Sequence, residues 1–121
     1  MSQLHIIFSI IISSVILIVS ACASMETRSL EGIGSHFEKH GIEVTDRIPK
    51  SYEMIGAMDG YGCSLNGKEV EIYLYESEST VLKKAKEKGR ILDSKAVVND
   101  NIVMVIVDDI ADKTLEVFAA Y

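Results

Sequence analysis

Hydrophobic positions divide the chain into two parts. Between Leu4 and Val19 the sequence is almost continuously apolar and is interrupted only by one histidine and three serines. No Asp, Glu, Lys or Arg precedes Glu26, whereas apolar and polar positions intermix after it as they do in a soluble domain. The pattern predicts an apolar leader over residues 1–21, a short polar tether over 22–28 and a folded domain over 29–121.

Three stretches of the domain have the spacing of amphipathic helices. We expect the first over residues 29–40, ended by Gly41, the second from about 78 to 88 after Ser77 as N-cap, and the third after Asp109. The apolar positions that predict these helices are Leu30, Ile33 and Phe37; Val81, Leu82 and Ala85; and Ala111, Leu115 and Phe118.

A tight hairpin is predicted at Asn66-Gly67, a dipeptide suited to the positive φ angles of a two-residue type I′ turn. This turn places Leu65 opposite Lys68 and therefore fixes the pairing of both strands. One face of the hairpin then carries Tyr61, Cys63, Leu65, Val70, Ile72 and Leu74, which we expect to be the core face. On the other face Tyr73 lies opposite Gly60, so that its ring can cover the glycine.

A second hairpin is predicted where 97–98 and 102–107 flank Asn99-Asp100-Asn101. A short extended piece over 42–49 and a helical turn over 51–55 precede the first hairpin. The expected fold class is therefore α+β, with a small antiparallel sheet of two hairpins and the element order α-β-β-α-β-β-α.

The strand over 102–107 carries apolar side chains on both of its faces. Either both faces are covered by other elements, or one face is exposed and tends to associate with another apolar surface. If helices cover only the face of Cys63, an apolar patch stays exposed on the other face, as at interaction sites. Its members are Tyr73, Tyr75, Val103, Val105 and Val107. We predict a surface for a protein partner or for self-association there; the alternative is that the first or last helix covers it.

Composition and charge narrow the function. The 121 residues suit one domain, and the net charge of −6 argues against nucleic-acid binding, which needs a surplus of Lys and Arg. The one basic cluster, over residues 83–90, is typical of a solvated helix face. On a membrane-tethered domain the same cluster can rest on anionic headgroups.

No motif predicts catalysis, a metal or a cofactor. His36 and His40 have metal-ligand spacing on one helix, but the domain supplies no third histidine. Cys63 falls on the core face, and Ser64 lacks the second glycine of a nucleophile elbow. Asp108, Asp109 and Asp112 could suggest calcium, but helix capping explains them without an ion. A site assembled only in three dimensions remains open, which makes a small cell-envelope enzyme the alternative function.

The leader ends in Val19-Ser20-Ala21-Cys22, where small residues precede a cysteine. This segment resembles the lipobox of bacterial lipoproteins. The resemblance implies cleavage between Ala21 and Cys22 and attachment of a diacylglyceryl group to the Cys22 thiol. The segment before Leu4 departs from the pattern because it has no Lys or Arg.

In its order of hairpin, helix and hairpin, the domain loosely resembles small uncharacterised secreted lipoproteins of Gram-positive bacteria. Together the two resemblances imply an extracytoplasmic protein held on the cell membrane by lipid. Because the sequence offers no acid–base pair, no nucleophile–base pair and no complete metal set, we expect the domain to act as a non-catalytic binding or accessory module. The alternative anchor is an uncleaved transmembrane helix over 4–23, whose 20 residues would span about 30 Å.

Overall fold

The computed structural model describes residues 29–121, so the predicted leader, the Ala21 and Cys22 cleavage and lipidation site and the tether lie outside the described residues. Within that range the fold is α+β, as predicted. The helices are α1 (Leu30–Lys39), α2 (Thr80–Lys88) and α3 (Asp112–Ala119), with a short 3₁₀ helix over Tyr52–Ile55. The strands are β1 (Val44–Pro49), β2 (Asp59–Leu65), β3 (Lys68–Leu74), β4 (Arg90–Ile91), β5 (Ser94–Asn99) and β6 (Ile102–Ile106).

The strands form one antiparallel sheet in the order β1-β2-β3-β6-β5-β4. The two predicted hairpins, β2–β3 and β5–β6, make up its four central strands. The edge strands β1 and β4 enlarge the predicted arrangement. Each is associated with a non-glycine residue of positive φ, which sequence patterns rarely reveal: Asp46, at 54°, lies at an irregularity within β1, and Leu92, at 53°, directly follows β4.

The register of the first hairpin is confirmed residue by residue. Leu65 pairs with Lys68, and the turn residues Asn66 and Gly67 have φ angles of 50° and 80°. Asn66 also ties the turn to the segment before β1: its backbone N–H donates to the Glu43 carbonyl at 2.9 Å, and its Oδ1 accepts from the Glu43 N–H at 2.8 Å. The turn therefore positions β1 as well as β3.

The first helix has the predicted boundaries. Ser29 caps α1 by accepting a hydrogen bond from the Gly32 N–H at 3.2 Å. At the other end Gly41 takes a φ of 81°, and the Ile42 N–H donates to the Phe37 carbonyl at 2.9 Å. This pairing is a Schellman motif, closed by the buried Ile42 side chain.

Two capping predictions are wrong. The N-cap of α2 is Ser79, not Ser77, and its Oγ accepts from the Leu82 N–H at 3.2 Å. Helix α3 begins after Ala111, which makes no side-chain cap, while Asp108 accepts a hydrogen bond from the Glu69 N–H at 2.9 Å. Asp108 thus closes the sheet at the start of β3 instead of capping a helix.

Helices cover the sheet on both faces and create two hydrophobic cores. Helices α1 and α3 cover the face of Cys63, with Ile33, Phe37 and Phe118 fully buried. Helix α2 and the 3₁₀ helix cover the opposite face. That second core contains Ala57, Tyr73, Tyr75, Leu82, Ala85, Ile91, Ala96, Val103 and Val105.

The predicted partner surface is therefore wrong in its position. Tyr73, Tyr75, Val103 and Val105 are all buried, and only Val107 is exposed, at 48%. The covering element is neither the first nor the last helix. It is α2. After β3 the chain crosses this face as α2 and then forms β4 at the far edge of the sheet.

We expect Gly67→Val to destabilise the domain by about 1–3 kcal/mol, because a β-branched residue is strained at positive φ. Space is not the cause, since nothing lies within 4 Å of a Cβ at Gly67. Chemical denaturation of the full chain in mild detergent measures the loss. Gly67→Asn is the control, because asparagine tolerates this conformation; equal losses in both variants would contradict the role of backbone strain.

Candidate binding groove

Exposed apolar side chains collect on the outer side of α2. Of the five large hydrophobic residues that are exposed in the described part of the chain, Met54 and Leu92 line one groove and Met58 an adjoining hollow. We call the first the α2 groove. It has a volume of about 430 Å³ and is lined by Met54, Ile55, Gly56, Val81, Lys84, Arg90, Ile91 and Leu92. This volume lies within the range of roughly 300–1,000 Å³ that is typical of ligand-binding clefts.

The floor and rims of the α2 groove come from different elements. Ile55, Val81 and Ile91 belong to the second core and form its apolar floor. Met54, on the 3₁₀ helix, and Leu92, in the β4–β5 turn, are 86% and 83% exposed. Two such side chains bordering one groove make an apolar surface that association would remove from water.

A buried tyrosine directly after β3 holds the 3₁₀ wall of the groove in place. Tyr75 is fully buried, and its hydroxyl donates to the Ile55 carbonyl at 3.0 Å. Tyr73 lies against Gly60, as the register predicted, and a side chain there would collide with its ring. Gly56 ends the 3₁₀ helix with a φ of 73°. The wall therefore rests on the sheet and is not a free loop.

Two cationic side chains line the groove. Lys84 and Arg90 line it, and neither forms an ion pair with another residue in the range 29–121. Helix α2 adds Lys83, Lys86 and Lys88, all exposed. The adjoining hollow, which shares Gly56 and Val81 with the groove, is lined instead by Glu53 and Glu76. The surface thus combines apolar rims and basic side chains at the groove with acidic side chains at the adjoining hollow.

The two histidines make backbone hydrogen bonds, and only His36 joins two helices. His36 Nε2 lies 2.7 Å from the Val117 carbonyl of α3, and His40 Nδ1 lies 2.9 Å from the His36 carbonyl. In each case the ring nitrogen must be the donor. Across the residues that the structure describes, no group of three or more His, Cys, Asp or Glu is placed to hold a metal ion.

The side chains with candidate chemistry in β2 and β3 are committed to packing. Burial raises the pKa of the Cys63 thiol to about 11, so the thiol is protonated at neutral pH. Burial and a 2.6 Å hydrogen bond to Glu71 raise the pKa of Tyr73 above its usual range. Lys50 approaches the other carboxylate oxygen of Glu71 at 3.5 Å. Ser64 is half-buried in β2 opposite Glu69, in a strand and not at a nucleophile elbow.

A second charged contact stabilises the β1 edge. Arg47 pairs with Glu31 at 2.6 Å and places its guanidinium 4.1 Å from the centre of the Tyr61 ring. The hydrogen bond to Arg47 lowers the pKa of Glu31 and raises that of Arg47. Because Glu31 already satisfies this cation, the contact joins α1 to β1 and leaves the α2 groove as the stronger binding candidate.

Sequence reasoning identified the basic cluster but not the groove. The missing information was the position of the 3₁₀ helix, which brings Met54 to the same surface as Leu92. Comparisons with known protein families, with curated proteins and with solved structures give no match. From residue 29 onward, none of the helices is both long and apolar enough to cross a membrane.

We expect Tyr75→Phe to loosen the groove wall, because the Ile55 carbonyl loses its donor, at a cost of about 0.5–1.5 kcal/mol. Hydrogen exchange at the Gly56 and Ala57 amides, which close the 3₁₀ helix, should become faster. Tyr61→Phe is the matched control, because it removes a similar 3.1 Å bond to the Leu30 carbonyl on the other face. Equal effects of both variants on Gly56 and Ala57 would contradict a local role of Tyr75.

We expect Cys63 to resist alkylation at pH 8 in the native protein and to react quickly in denaturant. The pKa of Cys63 is about 11 in the folded protein and about 9 in the unfolded chain, so the unfolded chain loses its thiol proton first. The stability of the fold therefore falls as the pH rises from about 9 to about 11. A Cys22→Ala chain, with Cys63 as its only cysteine, isolates the reaction; denaturation of Cys63→Ala shows how much of the pH dependence is due to this thiol. Rapid native alkylation would refute a buried, inert thiol.

Proposed function

We propose that this protein is an extracytoplasmic lipoprotein whose α+β domain acts as a non-catalytic binding or accessory module at the membrane. The observation that carries the proposal is the apolar leader ending in Val19-Ser20-Ala21-Cys22. Small residues directly before a cysteine suit cleavage ahead of Cys22 and lipidation of its thiol.

The physical benefit of lipidation is stable attachment. One acyl chain gives only marginal membrane binding, whereas each buried CH₂ contributes about 0.8 kcal/mol, so the two chains of a diacylglyceryl group hold a small domain durably. An uncleaved leader helix would also attach the domain. The two anchors differ in the covalent state of Cys22 and in the first residue of the mature chain.

The α2 groove supports the binding role of the domain. It offers an apolar floor, two exposed apolar rims and the cations Lys84 and Arg90, which together suit a partner with apolar and anionic groups. The side chains with candidate chemistry, in contrast, are engaged in packing or held protonated. Binding is therefore the function that the described surface favours.

Mass spectrometry of the full chain expressed in a bacterium tests the anchor. We expect a mature protein that begins at Cys22 and carries a diacylglyceryl adduct. Cys22→Ala should abolish both the adduct and the cleavage, since only the thiol can be alkylated. Cys63→Ala is the control and should leave the lipid in place. A chain that still begins at Met1 with an unmodified Cys22 in the membrane fraction would contradict lipidation and favour the helical anchor.

A further inference from the structure

We propose that the α2 groove is a membrane-docking surface, and that its occupant is the anionic surface of the bilayer to which the chain is attached. The inference rests on the proposed function in that it assumes a chain held at a membrane. It does not depend on which anchor holds the chain. It names the partner of the groove and the face of the domain that meets the lipid.

The rims of the groove supply its apolar contact with the membrane. Met54 and Leu92 are 86% and 83% exposed, whereas Ile55, Val81 and Ile91 beneath them are packed into the second core. Side chains that extend this far from a packed base insert into the headgroup region without unfolding anything. The flexible Met54 side chain adapts to an irregular lipid surface.

Charge complementarity selects an anionic membrane over a neutral one. The domain belongs to a chain of net charge −6, yet residues 83–90 contain four lysines and one arginine against the single acid Glu87. Lys84 and Arg90 lie in the groove itself, with no ion-pair partner among the described residues. Cations beside exposed apolar groups are the combination that binds anionic lipid surfaces.

The acidic hollow gives the contact a direction. Glu53 and Glu76 line the adjoining hollow and not the α2 groove, whereas Arg90 and Leu92 line the groove and not the hollow. Repulsion from lipid phosphates would turn that side outward and bring the β4–β5 turn closest to the membrane. The six residues 23–28 span roughly 20 Å at most, so the tether keeps the domain within reach of this surface.

Single tryptophans test the proposal, since the chain contains none. The full chain carrying Met54→Trp or Leu92→Trp is reconstituted into phosphatidylcholine vesicles with or without phosphatidylglycerol, part of the lipid being brominated near the headgroup. We expect bromine to quench both reporters at least twofold in the anionic vesicles and less in the neutral ones. A Lys39→Trp reporter on the exposed side of α1, in the opposite layer, should not be quenched.

A matched pair of charge variants tests the cations. In the Leu92→Trp chain, Lys84→Gln with Arg90→Gln should remove most of the quenching. Lys39→Gln with Lys113→Gln makes the same change in net charge on exposed positions of α1 and α3 and should leave the quenching intact. Raising the salt concentration should also reduce the quenching of the Leu92→Trp reporter, because salt screens the attraction between the cations and the lipid.

The proposal would be overturned by no quenching at positions 54 and 92, by equal quenching at all three positions, or by equal effects of the two charge pairs. A shift in the tryptophan emission of these reporters that grows with protein density in neutral vesicles would also overturn the proposal. It would indicate that a second copy of the chain occupies the groove. The anchor is judged separately. An unmodified Cys22 together with quenching at 54 and 92 would refute the lipoprotein while leaving the docking surface in place.

Discussion

The two-sided apolar strand β6 is the constraint on which the rest of the fold depends. Ile102 and Met104 face one side of the sheet, Val103 and Val105 the other, and all four are at most 5% exposed. A central strand of this kind is stable only when both faces are covered. Helices α1 and α3 cover one face, and α2, inserted between β3 and β4, covers the other.

This constraint also determines where a binding surface can lie. Because both faces of the sheet are core, a partner has access only to the outer sides of helices, the sheet edges and the turns. Helix α2 both covers the sheet and forms part of the groove. Leu82 and Ala85 pack inward, while Val81 and Lys84 line the groove. The Tyr75 hydroxyl fixes the opposite wall. The proposed docking surface is thus the outer side of the layer that closes the second core.

Features encoded by adjacent residues could be predicted from the sequence, whereas contacts between distant segments could not. Asn66-Gly67 determined a register because its turn chemistry acts on adjacent residues. Which helix covers which face depends on the path of the chain after β3, and no periodicity encodes that path; Tyr73 was therefore expected at the surface and lies in the core. The groove was missed for the same reason, because Met54 and Leu92 meet only through tertiary packing.

Hydrogen exchange of the unmodified full chain in vesicles can decide whether the α2 groove faces the membrane. We expect phosphatidylglycerol, compared with phosphatidylcholine alone, to slow exchange of the amides over residues 52–57 and 88–93. Amides of α1 and α3 should exchange at the same rate in both lipids. Slowing confined to α1 and α3, or no difference between the two lipids over 52–57 and 88–93, would contradict it.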